Sequence, residues 1–188
     1  DWDNMGQRQT DSGTVVFTDV FVDDCEVLTE FGARPSIHSS LRNIIGQIIL
    51  SEIYIGNAQG ALIDAIEYNQ TKSRPWIMSG VSNASEDSYN QLNAGKIWSN
   101  IKAAVALANE AHREFELAWN KGCELNDQER ASLSMTVASC RTYASQVALD
   151  ATSRSFELMG ASATTNKLRL DRYWRNVRVH TLHDPIDY

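Results

Sequence analysis

The sequence predicts a mainly α fold: an antiparallel four-helix bundle preceded by a short β segment. Two observations carry this. After Pro35, apolar residues recur at three- and four-residue steps, and caps, glycines and prolines divide the pattern into three long runs and a shorter last one. Before Pro35, positions 14 to 22 form a β-branched and aromatic stretch.

That stretch, Thr14-Val-Val-Phe-Thr-Asp-Val-Phe-Val22, reads as a strand. Val15, Phe17, Val20 and Val22 mark its faces, and Thr18-Asp19 marks a kink. One or two strands bury too little apolar surface to be stable alone. The segment therefore packs on the rest of the chain or belongs to a larger sheet outside it.

The first helical run opens with Ser36 as N-cap candidate. It carries Leu41, Ile44, Ile45, Ile48, Ile49, Ile53, Ala58, Leu62, Ala65 and Ile66, and should end before Arg74-Pro75. Gly46, Gly56 and Gly60 lie inside it. A glycine costs about 1 kcal/mol in a helix interior, so close approach of a neighbouring backbone is the expected compensation.

After a polar loop at 79–85, the second run spaces Leu92, Ile97, Trp98, Ile101, Val105, Ala108, His112, Phe115 and Trp119, and stops at Lys121-Gly122. Trp98 and Trp119 stand at core spacing. Asn126-Asp-Gln-Glu129 has the form of a capping box and begins a third run that ends at Met159-Gly160. The last helix is expected over Lys167 to Thr181. Helices of about 30 residues are ~45–50 Å long, and short connections make neighbours antiparallel. Helices of this length commonly carry a second apolar stripe, so a homo-oligomer (dimer or tetramer) is expected.

A length of 188 residues, 43% hydrophobic and 22% charged, suits one soluble domain with a sizeable core. The net charge of −7 argues against nucleic-acid and anionic-membrane partners, which demand basic patches. No apolar run reaches the length of a membrane span. Cys25, Cys123 and Cys140 are too few and scattered for a disulfide framework or a zinc site, so a cytoplasmic location is expected.

Chemistry concentrates near the C-terminus, in Arg172-Tyr-Trp-Arg-Asn-Val-Arg-Val-His-Thr-Leu-His-Asp-Pro-Ile186, which holds two of the four histidines. Asp184-Pro185 disfavours helical continuation. Proton-transfer groups at a helix end beside basic and aromatic side chains suit the edge of an active site. The plain alternative is a solvated amphipathic helix end. His180 and His183, at i and i+3, would also suit a metal, but a second pair of ligands is lacking, and no metal site is expected. His38 and His112 have no ligand-spaced partner and read as structural or surface residues.

Trp2-Asp-Asn-Met-Gly-Gln-Arg8-Gln-Thr10-Asp-Ser12-Gly-Thr14-Val-Val-Phe17-Thr-Asp-Val20-Phe-Val resembles the end of the middle β-domain of the acyl-CoA dehydrogenase superfamily. The helical remainder is similar to that family's C-terminal domain. The resemblance implies that residues 1–34 are the end of a β-domain with its linker, and 35–188 the helical domain of a longer flavoenzyme chain. It further implies a cofactor-binding role for Arg74 and Trp76, in Tyr68-Asn-Gln-Thr-Lys-Ser-Arg74-Pro-Trp76, where guanidinium would meet flavin phosphate. The same role is implied for Gly160 and Ser162 in a turn approaching the cofactor, and for Arg175 in Arg175-Asn-Val-Arg178.

Where many acyl-CoA dehydrogenases carry a glutamate base, this chain reads His183-Asp184-Pro185-Ile186. His-Thr-Leu-His-Asp-Pro resembles instead the two-component flavin monooxygenases typified by dibenzothiophene monooxygenase. That branch implies reduced FMN or FAD delivered by a flavin reductase, a small organosulfur or aromatic substrate, and catalytic roles for His180, His183 and Asp184. Two alternatives stay open: an acyl-CoA dehydrogenase with Asp184 as base, and a non-catalytic oligomerisation module.

Overall fold

In the computed structural model, described for residues 2–10, 12–27 and 36–183, four α-helices follow one another: α1 (Leu41–Thr71), α2 (Ser88–Asn120), α3 (Asp127–Met159) and α4 (Arg172–His180). The first three run 31, 33 and 33 residues. Hydrogen bonds between helix ends fix their directions. Arg130 Nε donates to Ser40 Oγ at 2.9 Å, joining the starts of α1 and α3, and Asn69 Nδ2 donates to the Leu158 carbonyl at 2.6 Å, joining their ends. The end of α2 meets the segment before α1, with His38 Nε2 lying 3.3 Å from the Trp119 carbonyl. Thus α1 and α3 are parallel and α2 runs against both. Asp64 meets Arg172 and Tyr54 meets His180, so α4 descends along α1 and completes an up-down-up-down arrangement.

The helix limits follow local rules. Asn126 accepts from the Glu129 amide at 3.0 Å while the Glu129 carboxylate reaches back to the Asn126 amide, the reciprocal capping box the sequence predicts. Lys121 also pairs with Glu129. Gly122 and Gly160 adopt φ of 55° and 78°, left-handed values that end α2 and α3. Ser36 Oγ accepts from the Ser39 amide, but the turn it caps precedes the helix proper, which starts at Leu41. The final helix is shorter than the periodicity predicts. Arg169 takes φ of 51°, which breaks the helix and delays α4 to Arg172.

Side chains of α1, α2 and α3 form one core in which Leu41, Ile44, Ile97, Ile101, Leu133 and Val137 supply bulk. Alanines at 58, 65, 104, 108, 144, 148 and 151 let the helices approach closely.

Several expectations are corrected. No strand forms among the described residues, and Val15, Val16, Phe17, Val20, Phe21 and Val22 are all more than half exposed. The backbone does turn at Asp19, with φ of 49°. No neighbouring strand offers the segment a ladder of amide partners, so its β-branched pattern is left without a sheet. Trp98 and Trp119 are 55% and 48% exposed rather than core residues, because Ile97 and Ala118 take the inward positions and the tryptophans fall about 100° around the helix. Of the three glycines inside α1, only Gly60 meets a neighbour. Its hydrogen faces the Tyr173 ring, and a Cβ there would lie 2.8 Å from Tyr173 Cε1, whereas Gly46 and Gly56 face open space.

Candidate functional site

Helix α4 is short, and its anchorage comes from outside itself. Arg172 Nη2 and the Tyr173 hydroxyl both donate to Asp64 Oδ2 at 2.9 Å, tying its first turn to α1. Burial and the adjacent Asp64 carboxylate raise the Tyr173 phenol above its ordinary value, so it remains a donor. Val177 is buried against the bundle.

The N-terminal segment crosses the outer face of α4 as a strap. The Gln7 amide donates to Asn176 Oδ1 at 2.9 Å, and Gln7 Nε2 donates to the Asn176 carbonyl at 3.3 Å. Arg175 Nη1 donates to the Met5 carbonyl at 2.7 Å while its Nε binds Asp171. Between these bonds lies Gly6, buried against the backbone of α4. The Gln7 carbonyl in turn receives the Trp2 indole N–H at 2.7 Å and the Thr10 hydroxyl at 2.9 Å. Gln7 has φ of 52° to permit this turn.

Between strap and helix end opens a cleft of about 570 Å3, within the range of small-molecule sites. Trp2, Met5, Ile53, Val179 and Leu182 give it apolar surface, and Asn4, Thr10 and Ser12 give it polar groups. His180 and His183 both line it, their ring centroids 6.4 Å apart. His180 packs at 5.3 Å on Tyr54. Burial, then the nearby His183 and Arg141, pushes the His180 imidazole below its ordinary value. A neutral imidazole is thereby favoured near pH 7. Its Nδ1 is buried and finds no hydrogen-bond partner among the described residues, an orphan that a ligand or water would satisfy.

The other sequence-predicted residues fall elsewhere. Arg74 is exposed, with no hydrogen bond or ion pair to another described residue, and Trp76 is 71% exposed beside it. Gly160 and Ser162 form the turn after α3. Ser73 joins these two places, its hydroxyl donating to the Met159 carbonyl at 3.1 Å. Asn69 adds its bond to Leu158. The end of α1 near Arg74 lies 17 residues beyond Tyr54, about 26 Å along the helix at 1.5 Å per residue. The chain thus holds two groups of candidate residues at separate levels. Arg175 belongs with the histidine group, as the strap's anchor. Asp184 lies outside the described residues, as does Pro185.

Sequence reasoning missed Tyr54, Gly6, Gln7 and Asn176. Tyr54 sits at ordinary core spacing, and nothing local distinguishes it. Gly6 and Asn176 are 170 positions apart, beyond any periodic signal. Trp2 entered the sequence reading only as the first residue of the segment that resembles a β-domain end. Among the described residues, no three His, Cys, Asp or Glu side chains gather as a metal would require.

The helical fold is shared with known proteins. Residues 48–188 match the family model described as acyl-CoA dehydrogenase, C-terminal domain, and the chain belongs to that family. A dibenzothiophene monooxygenase of Mycolicibacterium goodii is 44% identical over 193 aligned residues, covering 100% of this chain and 46% of its own length. A probable FMNH2-dependent monooxygenase of Pseudomonas putida is 39% identical, covering 100% and 48% respectively. The solved complex of the Paenibacillus sp. A11-2 protein TdsC with FMN and indole superposes with a TM-score of 0.94 at 38% identity, over 100% of this chain and 48% of that one. The chain spans about half the length of the curated relatives it matches.

Proposed function

We propose that this chain is the C-terminal helical half of a reduced-flavin-dependent monooxygenase acting on a small organosulfur or aromatic substrate. The observation that carries this reading is His180, a largely neutral imidazole with a buried, unsatisfied Nδ1 at the wall of a small-molecule-sized cleft. The relatives' names supply the direction of the chemistry: monooxygenase, reduced FMN, dibenzothiophene. Residues 1–34 then close a β-domain and 35–188 form the helical domain.

The residues present fit a flavin. A reduced flavin, when bound, supplies the electrons that activate oxygen. His180 would hold or pass a proton at its imidazole, with His183 beside it on the same cleft, and Asp184 is assigned to the same chemistry from its place next to His183 in the sequence. Trp2, Ile53, Val179 and Leu182 give the cleft apolar walls, against which a bound substrate would displace water. The unengaged guanidinium of Arg74 suits a phosphate, with Trp76, Gly160 and Ser162 at the same end of the bundle. Arg175 serves the site by holding the strap that walls the cleft.

The separation of Arg74 from His180 along α1 supports an assembly in which one subunit's Arg74 end serves a flavin held mainly by another, in a dimer or tetramer. Ile49, Ile63, Ile77 and Met78, between 53% and 87% exposed, offer apolar surface for such contacts. A separate flavin reductase in the same cytoplasm is the expected electron source. Among the described residues, no helix is long and apolar enough to cross a membrane.

The test is an assay of the full-length protein with reduced FMN or FAD, oxygen and thiophenes, sulfones or indole. A parallel assay offers acyl-CoA with an electron acceptor. Turnover of acyl-CoA and none of the oxygen-dependent substrates would overturn the reading.

A further inference from the structure

The His180 carbonyl oxygen is a shared acceptor. The His183 amide donates to it at 3.1 Å, closing the turn that relates the two histidines. The Tyr54 hydroxyl, 126 positions earlier on α1, donates to the same oxygen at 3.3 Å. This second bond is longer than a typical hydroxyl–carbonyl bond, and ring packing reinforces it: the phenol and imidazole centroids lie 5.3 Å apart at 58°. Tyr54 is wholly buried, at 0% exposure, and is the largest of the fully buried side chains.

A helix leaves its last carbonyls without intrahelical partners. At the end of α4, Val179 and His180 receive the Leu182 and His183 amides, and the Arg178 carbonyl receives the Thr181 hydroxyl. Among the described residues, only His180 of these is also tied to another helix by a hydrogen bond. That cross-link falls at the pivot of the two imidazoles. From this oxygen the chain runs one way into the His180 side chain and the other, through one turn, into His183.

We propose that Tyr54 is a positioning residue for both histidines, holding the turn from His180 to His183 in the geometry at which their rings share the cleft. The proposal rests on the reading that these imidazoles serve the oxygenation. Tyr54 itself lines neither the cleft nor the Arg74 end. Its hydroxyl fixes the backbone and its ring limits rotation of the His180 imidazole. Loss of the hydroxyl frees the turn while the helix bundle stays packed around a ring of nearly unchanged volume.

The experiment uses the full-length protein and compares Tyr54→Phe, His180→Phe and the unaltered enzyme. Product formed and hydrogen peroxide released are each measured per reduced flavin consumed, beside the thermal midpoint. Small displacements of reacting groups cost up to about 100-fold, and Tyr54→Phe is expected to lower the product share by about tenfold while flavin oxidation continues. A merely structural role would reduce the amount of folded enzyme, lowering both rates together and leaving their ratio unchanged. p-Aminophenylalanine at position 54 restores a donor and is expected to recover the product share. If Tyr54→Phe gives no soluble protein, 4-fluorophenylalanine at the same position fills the hydroxyl's space but donates no hydrogen bond, and an unchanged product share there overturns the proposal. If His180→Phe uncouples the enzyme and Tyr54→Phe does not, the positioning role is wrong and the monooxygenase reading stands. If His180→Phe leaves coupling intact, the reading of the site itself fails.

Discussion

Gly6 rests on the carbonyl of Arg175 so closely that a Cβ on Gly6 would stand 2.1 Å from that oxygen and 2.4 Å from its carbon. Both atoms are backbone, so no side chain can move aside. Gly6→Ala must therefore lift the strap or bend α4. Overpacking of this kind costs about 1–3 kcal/mol, which lowers the thermal midpoint of a protein of this size by roughly 2 °C or more. Hydrogen exchange should speed up at the Gln7 amide, whose Asn176 partner is lost. An unchanged midpoint with unchanged exchange would mean that the strap does not lie where described.

His180 gives stability a defined pH dependence. Its folded value is lowered, chiefly by burial and then by His183 and Arg141. As pH falls below the ordinary imidazole value near 6.5, the unfolded chain takes up a proton that the folded chain resists. Stability contributed by the neutral ring is therefore complete above that value and declines as pH drops toward the folded one. Thermal unfolding at a series of pH values between about 7.5 and 5 should show this decline, and His180→Gln should flatten it. A slope that survives the substitution would assign the effect to another group.

Gly46 and Gly56 occupy exposed helix interior where an added Cβ meets nothing within 4 Å. Gly46→Ala and Gly56→Ala should each stabilise by up to about 1 kcal/mol. Gly60→Ala, which brings a Cβ against the Tyr173 ring, should gain nothing or lose. Denaturant midpoints of the three variants rank them. A gain at Gly60 equal to the others would show that Tyr173 yields freely despite its bond to Asp64.

Arg74 separates binding from folding. Its guanidinium is exposed and engages no other described residue, so Arg74→Ala should leave the stability within about 0.5 kcal/mol of the parent. Hydrogen bonds to charged groups contribute about 1.5–3 kcal/mol. Reduced FMN affinity of the full-length enzyme, measured by calorimetry under anaerobic conditions, should accordingly fall by roughly tenfold or more. Unaltered affinity would remove Arg74 from the cofactor site.

What could be read from the sequence was local. The Asn126–Glu129 box, the left-handed glycines at 122 and 160 and the stop before Arg74-Pro75 each depend on residues within one turn of one another. The pairing of His180 with His183 was legible for the same reason, as an i, i+3 spacing near a proline. Longer relationships were not. Arg169 gives no sign that it will adopt a left-handed conformation and shorten α4. Residues 14–22 have the β-branched and aromatic composition of a strand, yet a strand exists only where another supplies its hydrogen bonds. Trp98 and Trp119 satisfied a helical spacing that tolerates errors of one position, and one position decides which side faces the core. Tyr54 and the Gly6 contact depend on which helix passes which, information that periodicity does not contain.

Helix α1 carries Tyr54 at one candidate place and leads to Arg74 at the other, with no break between Leu41 and Thr71. It acts as a ruler. One residue inserted between Tyr54 and Asn69 would advance everything beyond it by about 1.5 Å and rotate it by about 100°, turning the Asn69 amide away from Leu158 and the Arg74 end out of phase with the histidines. Substitution at the exposed positions of this stretch is therefore tolerable where a change of length is not. Among members of the family, insertions and deletions should collect in the turn around Ser79–Ser85, where the spacing between the two places is unaffected, and be absent from 54 to 69.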